Sequence, residues 1–92
     1  MINQKYILAE RNGLHARPSD RLSRAVRDLD CEITIAAHMA NGGDRVADGK
    51  SLTELLMLGA KHGDELVITA TGDDAQRAIE EIERAVALTA AE

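Results

Sequence analysis

Hydrophobic and polar residues alternate in some parts of this chain and recur at helical spacing in others. Residues 31–39 alternate apolar and polar side chains, and this period of two predicts a half-buried β-strand. Residues 65–71 form the clearest further strand, and residues 2–8 have a β-type composition. After a turn at residues 41–44, residues 45–47 predict a short strand that returns beside residues 31–39 as a hairpin.

A first helix is predicted over about residues 16–28. Leu22, Val26 and Leu29 recur there three and four residues apart, which is the spacing of one helix face. Pro18 falls in the first turn, where the missing N–H of proline does no harm.

Two shorter patterns predict the remaining helices. Ser51 and Glu54 have the spacing of a capping box, so we expect Ser51 to be the N-cap of a second helix that Gly59 ends. The expected apolar face of that helix is Leu52, Leu55, Leu56 and Leu58. The third helix follows the acidic pair Asp73 and Asp74, which suits its positive end. Its expected core stripe is Ala75, Ala78, Ile79, Ile82, Val86 and Leu88.

The predicted order of elements is β-α-β-β-α-β-α. This order favours an α+β fold in which helices cover one face of an antiparallel sheet. At 92 residues, the chain is expected to form one domain, residues 1–92.

Composition and charge exclude several classes of function. Tyr6 is the only aromatic residue, so the core must be aliphatic. The net charge of −5 argues against a nucleic-acid partner, because such partners bind by neutralisation of their phosphates. No stretch approaches a membrane span, so we expect a cytoplasmic protein without a membrane partner.

Cysteine and histidine usage indicates neither a disulfide framework nor a metal site. Cys31 is alone in the sequence, and we expect it to be a small buried hydrophobe. His38 and His62 lack the paired spacing of metal ligands. We therefore predict no metal and no cofactor, with His62 in solvent.

The most informative segment is the turn before the first helix. There a glycine-containing turn delivers His15 just before the helix begins. First-turn N–H groups and the helix dipole attract anions, and the Arg17 guanidinium suits phosphate oxygens. An imidazole in that place can attack a phosphoryl group. From the spacing alone, however, a solvated surface histidine is the commoner interpretation.

Residues 13–18, Gly-Leu-His-Ala-Arg-Pro, resemble the active-site signature of a known family. This is the histidine-containing phosphocarrier (HPr) family of the bacterial phosphoenolpyruvate:sugar phosphotransferase system. Residues 50–52, Lys-Ser-Leu, resemble the family's second motif around a regulatory serine. The resemblance covers about residues 5–86. It implies an open-faced β-sandwich, a four-stranded antiparallel sheet covered on one face by three helices.

The resemblance also implies roles for individual residues. His15 would accept a phosphoryl group from phosphoenolpyruvate-charged Enzyme I and pass it to an Enzyme IIA-type acceptor in sugar transport. Arg17 would stabilise the phosphoryl oxygens, helped by backbone N–H groups near Ala16 and Arg17, and Pro18 would set the first turn. Such a protein is a carrier with a phosphohistidine intermediate and not an enzyme, and we expect it to be a monomer.

Ser51 admits two compatible interpretations. It matches the serine that an ATP-dependent HPr kinase/phosphorylase modifies in many members of the family. A serine before a helix, with a glutamate three residues on, is ordinarily a helix cap. Phosphate on that oxygen would lie at a helix N-terminus, where its charge is tolerated.

Arginines recur along the first helix at spacings of four, three and three. They are Arg17, Arg21, Arg24 and Arg27. Such a stripe is ordinarily a solvated face, but in an acidic chain it also forms a patch that steers acidic partners. The resemblance implies a docking surface, to which Leu52 and Leu56 would add apolar contacts.

Two acidic residues depart from the family pattern. Asp20 lies about one turn after Ala16, and Glu54 lies on the expected docking surface. Asp20 would either repel a phosphohistidine or pair with Arg17 or Arg24. These departures leave a second function open, a regulatory HPr-like module in nitrogen or carbon control that acts through docking and Ser51. A generic α+β interaction domain is the third alternative.

Overall fold

The computed structural model describes residues 1–9, 11–39 and 42–90, and of residues 86–90 it describes only the backbone. Seven elements follow one another in the order that the sequence predicts. They are β1 (Ile2–Ile7), α1 (Ala16–Val26), β2 (Glu32–His38), β3 (Asp44–Asp48), α2 (Leu52–Leu58), β4 (Glu65–Thr71) and α3 (Ala75–Ala90).

The four strands form one antiparallel sheet in the order β1-β4-β2-β3. Ile35 of β2 lies opposite Ile68 of β4 and Ala47 of β3, and all three are buried. On the opposite face, Thr34 and Val46 are exposed. The helices therefore cover one face of the sheet, which confirms the predicted α+β open-faced sandwich.

The core is aliphatic, as the composition requires. Its largest fully buried apolar side chains are Leu8, Leu22, Ile35, Leu55, Leu66, Ile82 and Val26. Burial of each such side chain contributes about 1.5–3 kcal/mol. The residues predicted to form the α3 stripe are buried at Ala75, Ala78, Ile79 and Ile82. The side chains of Val86 and Leu88 lie outside the described residues.

The predicted apolar face of α2 is only partly correct. Leu55 and Leu58 are buried, whereas Leu52 is half-buried and Leu56 is 43% exposed. Leu55 and Leu58, three residues apart, share the face of the helix that packs on the core, whereas Leu52 and Leu56 lie outside that face. Gly59 ends the helix in the left-handed conformation, at φ 70°, as predicted.

The ends of the other elements differ from the sequence prediction by one or two residues. Helix α1 ends at Val26 with Arg27 as its C-cap, two residues before the predicted end. Cys31, predicted to be a small buried hydrophobe, lies just before β2 and is only half-buried. Asn41, the first residue of the predicted hairpin turn, lies outside the described residues.

Candidate functional site

His15 is the N-cap residue of α1. Its backbone is extended, with φ −86° and ψ −165°. Its N–H donates to the carbonyl of Gly13 at 3.0 Å, and its carbonyl accepts from the N–H of Ser19 at 3.1 Å. Within the described part of the chain, the imidazole caps no backbone N–H, and His15 is exposed. The backbone is thus fixed while the ring faces solvent, where another molecule can reach it.

The turn before His15 rests on the chain that follows α2. The N–H of Leu14 donates to the carbonyl of Ala60 at 2.9 Å, and the Leu14 side chain is buried. Gly13 has φ +73°, and a Cβ there would overlap the Ala60 carbonyl oxygen and lie 2.8 Å from the Cα of Lys61. Only glycine fits this backbone approach without strain.

Two buried serines, which the sequence pattern did not single out, lie on the inner face of α1, and one of them holds the start of the helix. Ser19 and Ser23 are both fully buried. The hydroxyl of Ser19 donates to the carbonyl of Leu14 at 3.3 Å, directly before His15. Their spacing in the sequence indicates this burial, because Ser19 and Ser23 fall on the same helix face as Leu22 and Val26.

The first turn of α1 presents positive charge beside His15. Its N–H groups belong to Ala16 and Arg17, because Pro18 has none and the N–H of Ser19 already donates to His15. Pro18 is buried, whereas Ala16 and Arg17 are exposed. His15 therefore lies at the positive end of an eleven-residue helix, with an exposed arginine two residues on, and both features favour an anion there.

The arginines lie on the outward half of α1, as predicted. Arg17, Arg24 and Arg27 are exposed and Arg21 is half-buried. At 100° per residue, Arg17 and Arg24 share the crest of the helix, with Arg27 on one flank and Arg21 on the other. They form a basic surface that begins at His15 and continues along the whole helix.

Asp20 pairs with Arg24. The Arg24 Nε donates to the Asp20 Oδ1 at 3.0 Å, and the two side chains are 71% and 39% exposed. Of the alternatives for Asp20, repulsion of a phosphohistidine or a pair with Arg17 or Arg24, the structure contains the pair with Arg24. An exposed i,i+4 pair contributes at most about 0.5 kcal/mol, so its main effect is to lower the positive charge of the arginine surface.

Ser51 is the N-cap of α2, as predicted, but the capping box is half-formed. Its hydroxyl accepts a hydrogen bond from the N–H of Glu54 at 3.2 Å. The Glu54 carboxylate accepts from the N–H of Asp48 at 3.1 Å and not from that of Ser51, which donates to the Asp48 carbonyl. Glu54 therefore stabilises the end of β3 as well as the start of α2.

Helices α1 and α2 run in opposite directions along one side of the molecule. Ala60, just after α2, contacts Gly13 before α1. At the other end, the Lys50 Nζ donates to the carbonyl of Leu29 at 2.6 Å. His15 and Ser51 therefore lie at opposite ends of α2. The seven-residue helix is about 10 Å long, and Leu52 and Leu56 lie along it.

The remaining histidines lie elsewhere. The Nδ1 of His38 is 2.8 Å from the Oδ1 of Asp44 across the hairpin. His62 is exposed in the turn before β4. Across residues 1–9, 11–39 and 42–90, no three histidine, cysteine or acidic side chains are grouped as metal ligands would be.

The thiol of Cys31 is a weaker acid than a cysteine thiol in solvent. Burial raises the pKa of its thiol, Lys50 lowers that pKa, and Asp74 and Asp30 raise it further. The protonated thiol is therefore favoured, and a thiolate nucleophile is disfavoured.

Comparison with known proteins identifies the family. Residues 2–87 match the family described as the PTS HPr component phosphorylation site. The chain belongs to the PTS HPr family, whose members include phosphocarrier proteins. In the part that the structure describes, no helix is both long and apolar enough to cross a membrane.

Relatives include both short and long proteins. The phosphocarrier protein HPr of Mycoplasma capricolum is 33% identical over 84 residues, which cover 91% of this chain and 89% of that protein. The multiphosphoryl transfer protein of Salmonella typhimurium is 33% identical over 87 residues, or 95% of this chain. The chain spans only 23% of the length of that relative.

Solved structures show the same fold. The histidine-containing phosphocarrier protein of a mycoplasma has a TM-score of 0.88 and 30% identity, covering 97% of this chain and 96% of its own. An HPr protein of Thermoanaerobacter tengcongensis has a TM-score of 0.81 at 23% identity, covering 100% of this chain and 98% of its own. The second likeness supports the fold alone.

Proposed function

We propose that this chain is a phosphocarrier that accepts a phosphoryl group on His15 from Enzyme I, charged by phosphoenolpyruvate, and passes it to an Enzyme IIA-type acceptor. The observation that carries the proposal is the exposed imidazole of His15 on a fixed backbone, at the positive end of a helix and beside Arg17. Membership of the HPr family supports the same role.

The transfer needs one nucleophile and a stabilised anion. A ring nitrogen of His15 attacks the phosphorus with its lone pair, and the bond from phosphorus to the donor breaks as its electron pair returns to the donor. Arg17 and the first-turn N–H groups of Ala16 and Arg17 stabilise the charge on the phosphoryl oxygens. Pro18 sets the backbone of that turn. The second transfer repeats these steps with the acceptor as nucleophile, so the chain is regenerated as a carrier without turnover of its own.

The docking surface proposed for both partners combines the arginines with two leucines. Arg24 and Arg27 extend the positive surface away from His15, and Arg21 extends it on the other flank. Leu52 is half-buried and Leu56 is exposed, so they offer apolar contact beside α1. Acidic surfaces on Enzyme I and on the acceptor would be steered to this site despite the acidic net charge of the chain.

We further propose that residues 1–92 act as a single carrier domain. This domain would be monomeric and cytoplasmic and would serve sugar uptake. Ser51 is proposed as the site of an HPr kinase/phosphorylase. The hydrogen bond from the N–H of Glu54 to the Ser51 hydroxyl is by itself a sufficient reason for a serine at this position. Regulation through Ser51 therefore has less support than the carrier role of His15.

Intact mass after incubation with Enzyme I and phosphoenolpyruvate tests the carrier role. We expect one phosphoryl group on the wild type, lost in mild acid as a phosphohistidine is, and none on His15→Ala. His62→Ala is the matched control, because it removes another exposed imidazole and should be labelled like the wild type.

Other outcomes would reject the proposal in distinguishable ways. An acid-stable phosphate formed with a serine kinase, without acid-labile labelling by Enzyme I, would favour a regulatory module. A folded protein that takes up no phosphate in either reaction would favour a generic interaction domain.

A further inference from the structure

A groove of about 320 Å³ lies between α1 and α3. Its floor is formed by two small residues, half-buried Ala25 and buried Ala85. Three arginines and one glutamate complete its walls. The lining residues are Arg21, Arg24, Ala25, Glu81, Arg84 and Ala85.

The groove is positively charged in a chain whose net charge is −5. Arg24 pairs with Asp20, and Arg84 pairs with Glu81 at 3.1 Å. Both arginine side chains are well exposed, at 71% and 68%. Exposed pairs of this kind contribute only about 0.2–1 kcal/mol. A ligand carboxylate can therefore recruit these guanidinium groups at little cost.

We propose that this groove binds an acidic helical segment of a partner protein, with one small apolar side chain of the segment over Ala25 and Ala85. Carboxylates spaced one turn apart on that segment would meet Arg84 on one wall and the arginines of α1 on the other. The apolar floor contributes by burial of the small side chain.

The charge distribution and composition favour a protein segment over a polyanion. A nucleic acid or an anionic membrane would be repelled by the rest of this acidic chain. The groove also offers no aromatic platform for a base, because Tyr6 is the single aromatic residue of the sequence and belongs to β1. A short acidic segment contacts only the positive groove and avoids that repulsion.

The groove lies on the flank of α1 opposite to Asp20 and Arg27. A segment bound there leaves Leu52 and Leu56 uncovered. Arg21 and Arg24, however, belong both to the groove and to the proposed docking surface, so a segment bound in the groove would compete with Enzyme I for these two arginines. Its binding does not require phosphorylation of His15.

Nuclear magnetic resonance titration of the full chain tests the proposal. The probe is a synthetic helical peptide with glutamates one turn apart and alanines between them, and its counterpart has every glutamate replaced by lysine. We expect the amide signals of Ala25, Arg84 and Ala85 to shift with the acidic peptide only. Arg84→Glu should weaken binding at least about fivefold, since it replaces an attractive charge with a repulsive one.

Arg77→Glu is the matched control, because it makes the same charge change on an exposed residue of α3 outside the groove. Equal weakening by both variants would overturn the proposal, as would shifts confined to Leu52 and Leu56. Tighter, Arg84-dependent binding of a DNA duplex or of phosphatidylserine vesicles would also overturn it. Labelling of His15 by Enzyme I in the Arg84→Glu variant reports on the carrier role separately.

Discussion

The Lys50 ammonium group donates a hydrogen bond to the carbonyl oxygen of Leu29 at 2.6 Å. This bond joins the residue before Ser51 to the chain just beyond α1. At the opposite end of the same pair of helices, the N–H of Leu14 donates to the carbonyl of Ala60. The two helices proposed to receive phosphoryl-transfer partners are thus joined to each other at both ends.

Lys50→Met should destabilise the fold by about 1–2 kcal/mol, because hydrogen bonds from charged groups contribute about 1.5–3 kcal/mol and this one is only half-buried. Urea unfolding measures the loss. Lys61→Met, at an exposed lysine, should cost less than about 0.5 kcal/mol. An equal loss in the two variants would show that the Leu29 contact contributes nothing.

Gly13→Ala should destabilise the protein more than Gly63→Ala does. Both glycines have positive φ, +73° and +90°, but a Cβ meets nothing within 4 Å at Gly63. The backbone conformation alone costs alanine about 1–2 kcal/mol, and the overlap with Ala60 should add about 1–3 kcal/mol. The difference between the two unfolding free energies isolates the contact that holds the His15 turn, and a zero difference would contradict it.

Ser51→Ala and Ser51→Asp separate the cap from regulation. Loss of the cap in Ser51→Ala should cost about 1 kcal/mol, whereas aspartate caps a helix as well as serine does and should leave the stability nearly unchanged. If Ser51 is regulatory, Ser51→Asp should slow phosphoryl transfer from Enzyme I and Ser51→Ala should not. Equal transfer rates would leave Ser51 as a cap alone.

The Cys31 thiol should be slow to react with iodoacetamide near neutral pH. Because burial raises the pKa of this thiol, the rate in the folded protein should reach its midpoint at higher pH than in urea. The protonated thiol stabilises the fold below the pKa of the unfolded thiol, and this contribution is lost as the pH rises through the folded pKa. Lys50→Met should move the folded midpoint higher still, since Lys50 lowers the pKa of Cys31.

Asp20→Asn should change docking more than stability. Its exposed pair with Arg24 contributes at most about 0.5 kcal/mol to stability. The substitution removes the negative charge that compensates the Arg24 guanidinium, so the arginine surface becomes more positive. We expect Enzyme I to have a lower KM for the Asp20→Asn variant than for the wild type at low ionic strength. Near 1 M salt, where the Debye length is about 3 Å, the two KM values should be equal. Asp73→Asn, at an exposed acid before α3, is the control. A KM that falls equally in both variants would indicate a general charge effect.

Much of the fold follows from short-range signals in the sequence. Alternation predicts β2, the serine and glutamate spacing predicts the start of α2, and Gly59 marks its end. Each signal works because the periodicity or cap is local to the element it specifies. The segment around His15 indicates the site in the same way, since a turn, a histidine and a helix start are consecutive.

The contacts that fix the site are not visible in the sequence. Gly13 meets Ala60 and Lys50 meets Leu29 only after the chain has folded, and no local pattern specifies either pair. Ser19 was missed because serine in a helix is ordinarily solvent-facing, whereas here the Leu14 carbonyl satisfies its buried hydroxyl. The ion-pair partner of Asp20 is decided by the directions of the side chains, which the sequence does not show. Spacing along the helix allows a pair with either Arg17 or Arg24.

The segment from Lys50 to Ala60 constrains the positions of both ends of α1. One end of it contacts the chain after that helix, at Leu29, and the other contacts the turn before it, at Gly13 and Leu14. A residue inserted into either helix alone would break one of these contacts and shift the His15 loop. Length changes in α1 and α2 should therefore be tolerated only in matched pairs, and the position of the imidazole proposed to carry the phosphoryl group depends on the length of a helix other than its own.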